Sequence, residues 1–178
     1  MKIIETNLKG NFIIEPKVFK DERGYFFESF NKIKFKEIVD INFIQDNEAF
    51  SNKDILRGLH FQKGEYAQAK LVRVVKGKVL DVAVDLRKDS DTYGKHFSII
   101  LSEENKKQLF VSRGFAHGYA VLEDNTIFQY KCDNFYSPEN EGGIRYDDEI
   151  LNIDWKLNKQ EVLLSLKDKN LLFFKDLC

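Results

Sequence analysis

Apolar residues recur at every second position in several short segments of the chain, and turn-forming residues separate these segments. In residues 115–121 the large apolar side chains at alternate positions share one face, as do Phe128 and Tyr130 in residues 126–132. This spacing is typical of half-buried strands. Further strands are predicted at residues 10–16, 25–30, 43–50, 70–75, 79–86, 96–101 and 107–111.

The clearest hairpin is predicted around Gly77, between the strands at 70–75 and 79–86. Glycine can adopt the backbone conformation that a tight turn requires. The second strand would carry Asp81 and Asp85 on one face and aliphatic residues on the other. Short strands at regular spacing, joined by tight turns, predict an all-β sandwich or closed barrel.

Helical character is limited to two places. Residues 31–39 carry apolar side chains between lysines, and Asn31 can cap their N-terminal end, so a short surface helix is predicted. The segment from Asp154 onward mixes loop with short helical character and is expected to wrap the barrel. Sixteen phenylalanines and seven tyrosines also favour strands over helices.

Length and charge restrict the class of protein. The 178 residues predict a single domain, 1–178, that is long enough to bury a full core. Twenty-eight basic and 29 acidic side chains give a formal net charge of −1. This balance argues against nucleic-acid or membrane partners, which usually require a basic excess. Two cysteines provide no disulfide framework and the N-terminus lacks a signal peptide, so a cytoplasmic protein is expected.

The polar groups with the clearest chemistry lie in the stretch DILRGLHFQKGEYAQAKLVR, residues 54–73. It places Arg57, His60, Gln62 and Lys70 among apolar residues. A single imidazole in apolar company is more often a hydrogen-bonded core residue than a catalyst. Two cations close in sequence predict an anionic partner, however, and histidine titrates near neutral pH. The hypothesis is that His60 transfers protons on an anionic substrate.

A histidine can remove a proton from a carbon beside a carbonyl group if another group stabilises the resulting enolate. Lys70 is close enough in sequence to His60 to supply that positive charge. A second proton donor would be needed to return a proton to the opposite face of the carbon. Tyr130 suits that role, although a packed aromatic residue is the alternative interpretation of its position.

Other catalytic and ligand-binding motifs are missing from the sequence. It contains no His-x-His pair to suggest a metal site, no G-x-S-x-G nucleophile motif and no glycine-rich phosphate loop. Neither a metal nor a cofactor is therefore expected. A diphosphate would have to be held by side chains, and Arg23, Arg57 and Lys70 are candidates because cationic side chains bind phosphate oxygens.

Seven motifs occur together and in one order along the chain. They are KVFKDERGYFFES (17–29), FIQDN (43–47), LRGLHFQ (56–62), QAKLVR (68–73), GFAHGY (114–119), YSPENEGG (136–143) and SLKD (165–168). Across residues 13–168 the set resembles the dTDP-4-dehydrorhamnose 3,5-epimerases, cofactor-free enzymes of dTDP-L-rhamnose synthesis, a pathway of cell-surface polysaccharides such as lipopolysaccharide. The resemblance implies a cupin-type antiparallel β-barrel, or jelly roll, with short flanking helices, assembled as a homodimer.

The resemblance also implies roles for individual residues. His60 would be the base that removes the C5 and C3 protons of dTDP-4-dehydro-6-deoxy-D-glucose, and Asp168 would pair with it and orient its ring. Tyr130 would be the acid that delivers protons from the other face, and Lys70 would stabilise the enolate. The residues implied to bind the nucleotide sugar are Arg23, Glu28, Gln45, Asn47, Arg57, His117, Glu141 and Lys167. Arg23 and Glu28 would reach the site of the neighbouring subunit.

Two departures from the family pattern are visible. Ala69 stands where a glycine is usual, and one residue is added between Tyr130 and Lys167, so the role of Asp168 is carried over on the local S-x-K-D match alone. Two other functions stay open. One is a mono-epimerase, acting at C3 or C5 only, of a related dTDP-4-keto-deoxysugar pathway. The other is a barrel that binds sugar nucleotides without turnover.

Overall fold

The computed structural model describes residues 1–37 and 39–177, and within them the chain is mainly antiparallel β structure. Ile38, which lies inside the predicted helix, and Cys178 are outside the described residues. The strands are β1 Lys2–Glu5, β2 Phe12–Glu15, β3 Phe19–Asp21, β4 Gly24–Phe26, β5 Gln45–Ser51, β6 Leu56–Gln62, β7 Lys70–Lys76, β8 Lys78–Asp85, β9 His96–Ser102, β10 Gln108–Val111, β11 Phe115–Val121, β12 Thr126–Cys132 and β13 Glu141–Gly143. The helices are α1 Lys32–Lys36 and α2 Leu166–Lys169, with 3₁₀ turns at Gly64–Tyr66, Pro138–Asn140 and Phe174–Asp176.

Eleven of these strands form two antiparallel sheets that pack face to face. The six-stranded sheet has the order β1-β2-β10-β7-β12-β5, and the five-stranded sheet has the order β13-β6-β11-β8-β9. The remaining strands, β3 and β4, pair with each other as a separate hairpin. The predicted all-β, jelly-roll architecture of the cupin type with short flanking helices is confirmed.

The predicted hairpin around Gly77 is wrong. Strand β7 pairs with β10 and β12 in one sheet, whereas β8 pairs with β11 and β9 in the other. Gly77, with φ of +78°, is therefore the point at which the chain crosses between sheets. A glycine turn flanked by two alternating strands looks the same in sequence whether the strands pair edge to edge or pack face to face.

Aliphatic and aromatic residues from both sheets fill the space between them. Val72 and Val74 of β7 pack in the same buried cluster as Val79 and Ala83 of β8. The two strands joined at Gly77 therefore supply core residues from opposite sheets. The predicted face of β11 is confirmed, because Phe115, Tyr119 and Val121 all belong to this cluster. Burying such side chains contributes roughly 1.5–3 kcal/mol each to the free energy of folding.

The C-terminal segment covers the outer face of the five-stranded sheet. Trp155 and Phe174 pack with Leu80 and Val82 of β8, and the Trp155 indole donates a hydrogen bond to the Tyr146 carbonyl oxygen at 2.7 Å. The expectation that residues after Asp154 wrap the barrel is confirmed. This segment matters for the site because it carries α2 to the mouth of the space between the sheets.

The segment before β5 lies against the other sheet. Asn31 caps α1, since its side-chain oxygen accepts hydrogen bonds from the backbone amides of Ile33 and Lys34 at 3.1 and 3.2 Å. The helix ends at Lys36, earlier than predicted, and buries Phe35 against the outer face of the six-stranded sheet. The strand predicted at 25–30 is also shorter, since β4 ends at Phe26. Among the described residues, no helix has both the length and the apolar composition to cross a membrane.

Candidate active site

The two sheets supply opposite walls of a cavity of about 460 Å³, which we name the central cavity. His60 on β6 and His117 on β11 line it from the five-stranded sheet. Lys70 on β7 and Tyr130 on β12 line it from the six-stranded sheet. The candidate base and the candidate acid therefore face the cavity from different walls.

His60 is paired with a buried carboxylate from the C-terminal segment. Its Nε2 lies 2.5 Å from Oδ1 of Asp168, whose side chain is 4% exposed. Asp168 is held in the first turn of α2, where its backbone amide donates a hydrogen bond to the Ser165 hydroxyl at 3.0 Å. This contact joins residues that are 108 positions apart in sequence.

The environment keeps this carboxylate ionised. Burial alone would raise the pKa of the Asp168 carboxyl, but the hydrogen bond and charge of His60, with a contribution from Ser165, lower it below its ordinary value. An ionised carboxylate only accepts hydrogen bonds, so it favours the His60 tautomer that carries its proton on Nε2. That tautomer leaves the Nδ1 lone pair available to take a proton from a substrate.

A β-bulge in β6 puts Arg57 and His60 on the same face. In a regular strand, residues three apart point to opposite faces. Here His60 lies opposite His117, and Arg57 lies opposite Tyr119, so three steps along β6 correspond to two along β11. Gly58 in the bulge has φ of +115°, and a Cβ there would lie 2.6 Å from the Gly118 Cα, so glycine is required at this position.

His117 forms a second, more deeply buried histidine–carboxylate pair. Its Nε2 lies 3.0 Å from both carboxylate oxygens of Asp81, and the two residues are 6% and 0% exposed. The His117 ring also stacks on Phe128, with centroids 6.3 Å apart. Held on two sides, this imidazole forms a rigid part of the wall beside His60.

Lys70 and Tyr130 are neighbours on the opposite wall. The Lys70 ammonium lies 5.9 Å from the centre of the Tyr130 ring. Burial lowers the pKa of Lys70, and acidic groups nearby, Cys132, Glu141 and Asp81, oppose this effect only in part. Burial likewise raises the pKa of the Tyr130 hydroxyl, so at neutral pH it stays protonated and can donate a proton.

A second cavity of about 310 Å³, the side cavity, adjoins the first and shares His60, Lys70 and Tyr130 with it. Gln45 and Asn47 of β5 line it, and the Gln45 amide donates a hydrogen bond to the Asn47 side-chain oxygen at 3.1 Å. These two residues, expected to bind the substrate, therefore open on to the same space as the candidate catalytic groups.

Glu141 lines the side cavity and contacts two other side chains. Its carboxylate accepts a hydrogen bond from the Tyr136 hydroxyl at 2.5 Å and forms an ion pair with Lys167. Burial would raise the pKa of Glu141, but the hydrogen bonds from Lys167 and Tyr136 lower it overall. Lys167 also lines the central cavity, so this ion pair links the two cavities.

Two of the expected substrate-binding residues lie elsewhere in the described chain. Arg23 is on the β3–β4 hairpin, where its side chain is 89% exposed and pairs with Asp21 at 2.5 Å. Glu28 pairs with Lys34 and accepts a hydrogen bond from the Asn31 amide at 2.8 Å. Neither lines the central or the side cavity. The described part of the chain does not bring them together with His60.

Sequence reasoning missed several polar residues at the cavities, of which three stand out. Tyr119 lines the central cavity and Tyr136 lines the side cavity. Asp81 forms the hydrogen bond that orients His117. Asp81 could have been identified from the sequence, because a carboxylate inside an apolar strand must have a hydrogen-bond partner. The tyrosines had no signal that distinguishes them from packed aromatic residues. Among the described residues, no group of three or more histidine, cysteine or acidic side chains could hold a metal ion.

Comparison with known proteins identifies the family. The model of the family described as dTDP-4-dehydrorhamnose 3,5-epimerase matches residues 5–176. The chain belongs to the dTDP-4-dehydrorhamnose 3,5-epimerase family. The epimerase of that name from Methanothermobacter thermautotrophicus is 50% identical over 171 residues, which are 95% of this chain and 92% of the relative.

Solved structures of the family agree closely with this fold. The epimerase of Elizabethkingia anophelis is 53% identical, with a TM-score of 0.94 over 99% of this chain and 97% of that one. The epimerase of Legionella pneumophila, solved in complex with dTDP-4-keto-L-rhamnose, is 45% identical, with a TM-score of 0.95 over 99% and 94% of the two chains. A 3′-monoepimerase from Streptomyces bikiniensis, solved with dTDP-quinovose, is 29% identical, with a TM-score of 0.89 over 94% and 85%. The similarity favours the dual epimerases over the mono-epimerases.

Proposed function

We propose that the protein is a 3,5-epimerase that converts dTDP-4-dehydro-6-deoxy-D-glucose into dTDP-4-dehydro-L-rhamnose. One observation carries the mechanism: the candidate base His60 and the candidate acid Tyr130 line one cavity from opposite walls. Inversion at carbon needs a proton to leave from one face and another to arrive at the other, and a sugar ring between the two walls would meet both groups.

In the proposed reaction, His60 removes the proton from C5 and becomes an imidazolium that the Asp168 carboxylate stabilises. The bonding electrons move to the C4 carbonyl oxygen and give an enolate, whose charge the Lys70 ammonium stabilises. The Tyr130 hydroxyl then delivers a proton to the opposite face of C5, which restores the ketone with inverted configuration. Solvent then takes the extra proton from His60 and returns one to Tyr130, so that the same sequence at C3 can complete the conversion.

The polar side chains around the two cavities would hold the nucleotide. Lys167 and Arg57 supply positive charge beside the central cavity, and Arg57 is oriented by the Ser51 hydroxyl, to which it donates hydrogen bonds at 3.2 and 3.3 Å. Gln45, Asn47 and Glu141 would bind from the side cavity. Of these groups, the cationic side chains of Arg57 and Lys167 can bind a diphosphate without a glycine-rich loop.

Hydrogen exchange in deuterated water tests the proposal. Incubation of the protein with dTDP-4-dehydro-6-deoxy-D-glucose should replace the protons at both C3 and C5 by deuterium, as followed by proton NMR of the sugar. A sample without protein is the control for spontaneous exchange. Exchange at one carbon only would identify a mono-epimerase. If exchange does not exceed that of the control, the remaining interpretation is a barrel that binds sugar nucleotides without turnover.

We further propose that the protein acts as a homodimer in which Arg23 and Glu28 of one copy reach the cavity of the other. The β3–β4 hairpin exposes Phe19, Tyr25 and Phe26, which are 53%, 55% and 67% exposed. Among the described residues, β5 is the last strand of its sheet, and its outer edge, next to Gln45 and Asn47, pairs with no other strand. An apolar hairpin and an open strand edge beside the cavity are complementary features that a second copy can join.

Mixed dimers test the contribution of Arg23. We expect Arg23→Ala and His60→Ala each to lower activity when all subunits carry the same change. Co-expressed with different affinity tags and purified as a mixed dimer, the two variants should regain activity, because one of the two sites then combines an intact His60 with an intact Arg23. If Arg23 acts within its own subunit, or if the protein is monomeric, no activity returns.

We infer that residues 1–178 form one domain, because the N-terminal strand β1 belongs to the six-stranded sheet and the C-terminal segment packs on the five-stranded sheet. A cytoplasmic location is inferred from the few cysteines, of which Cys132 is a buried free thiol.

A further inference from the structure

Tyr119 is a residue of the central cavity to which neither the sequence motifs nor the proposed reaction gives a role. It lies on β11 with its side chain toward the space between the sheets, and it lines the same cavity as His60, Lys70 and Tyr130. Only 5% of the residue is exposed, so it is as buried as the surrounding core.

The Tyr119 ring is fixed in place on several sides. In the sheet, its Cα lies opposite Arg57 of β6 and Asp81 of β8. Its ring stacks on Phe128 with centroids 4.0 Å apart and an angle of 19° between the planes. Phe128 in turn packs against Tyr130 with centroids 6.0 Å apart. The ring of Tyr119 is thus part of the layer that supports the candidate acid.

The Tyr119 hydroxyl has a different environment from its ring. No described residue forms a hydrogen bond with it, although buried hydroxyls usually have a partner. Within the described residues, the one fully enclosed side-chain polar atom without a partner is Nδ2 of Asn11. The small exposed part of Tyr119 therefore includes its hydroxyl, which opens on to the central cavity. Burial also raises the pKa of this phenol, so the hydroxyl stays protonated and can donate a hydrogen bond.

Phenylalanine would serve the packing role equally well. The stack on Phe128 and the burial in the core need only the aromatic ring, and a hydroxyl without a partner makes such burial less favourable. A hydroxyl at this position becomes favourable when a ligand in the cavity supplies the missing partner. The pyranose ring of the substrate carries hydroxyl and carbonyl oxygens that can do so.

We propose that Tyr119 is a specificity-determining residue whose hydroxyl donates a hydrogen bond to an oxygen of the bound keto sugar and holds the ring between the two catalytic walls. The inference rests on the proposed epimerase function and assigns to that site a sugar contact from the wall that carries His60. It predicts that Tyr119 recognises the sugar and not the nucleotide.

Two binding measurements and one kinetic measurement on Tyr119→Phe test this. Calorimetric titration with dTDP and with dTDP-glucose, which lacks the ketone and is not epimerised, separates the nucleotide from the sugar. Steady-state assays with the keto sugar give kcat and KM. Tyr146→Phe is the matched control, because Tyr146 packs on the outer face of the five-stranded sheet and lies outside both cavities.

The expected result is that Tyr119→Phe binds dTDP like the wild type, binds dTDP-glucose more weakly, and has kcat/KM lowered by about tenfold, which is the size expected for one buried hydrogen bond. The control should match the wild type in all three measurements. If kcat/KM stays within about twofold of the wild type, or if affinity for dTDP falls as much as that for dTDP-glucose, the inference is wrong. A wild type that fails to exchange protons at C3 and C5 would instead refute the proposed function, so the two failures are distinct.

Discussion

His60→Ala is expected to abolish deuterium exchange at C3 and at C5 together and to lower the rate of epimerisation by about 10²–10⁴-fold. The reason is that one imidazole is proposed to remove both protons, and no other described group on its wall is placed to replace it. His117, the nearest imidazole in the sheet, is held by both oxygens of Asp81 and is buried. Proton NMR of the sugar in deuterated water measures exchange and product formation in one experiment.

Two further variants separate loss of the base from loss of the fold. His60→Ala leaves the buried Asp168 carboxylate without its partner, which costs stability. His60→Gln keeps an N–H donor for that carboxylate but has no basic nitrogen, so it should unfold close to the wild-type temperature and still lack exchange. His96→Ala, a change of the same kind on β9 outside both cavities, should retain activity.

Retained exchange at either carbon in His60→Ala would contradict the assignment. If only C3 exchange survived, a second base would have to act there, and the single-base mechanism would be wrong. If both signals survived at wild-type rates, His60 would be a structural residue of the cavity wall.

The parts of the fold that sequence reasoning could predict are those determined within single strands. The alternation of apolar residues predicts that Phe128 and Tyr130 share one face of β12. In the structure both side chains face the space between the sheets, where they pack in the core and line the central cavity. What alternation cannot give is the partner of each strand. The sequence around Gly77 satisfied every local rule for a hairpin, yet the strands on either side belong to different sheets.

The candidate site shows the same division between local pattern and long-range contact. The period-two rule assigns Arg57 and His60 to opposite faces, and only the bulge at Gly58 brings both to the cavity. The pairing of His60 with Asp168 joins residues 108 positions apart, so no local pattern could reveal it, and the resemblance to a family supplied it. No sequence pattern identifies Tyr119, because a cavity-facing phenol and a packed one share the same alternation.

Tyr130→Phe is expected to stop inversion while leaving exchange of the C5 proton. In this variant His60 can still remove a proton, and Lys70 on the opposite wall can still stabilise the enolate. The face opposite His60 has lost its proton donor, so the deuteron can return only from His60, to the face that the proton left. The sugar should therefore gain deuterium at C5 and keep its original configuration, with epimerisation lowered by about 10²–10⁴-fold.

This separation of exchange from inversion is what distinguishes an acid from a packing residue at position 130. A packing defect would slow both processes together, because it would displace the sugar from His60 as well. Tyr93→Phe, which removes a hydroxyl beside Phe174 and away from the cavities, controls for the change itself. If Tyr130→Phe inverts C5 at the wild-type rate, another donor serves that face, and the assignment of Tyr130 as the acid is wrong. If exchange and inversion fall in parallel, Tyr130 acts by positioning the sugar and the two-wall mechanism loses its acid.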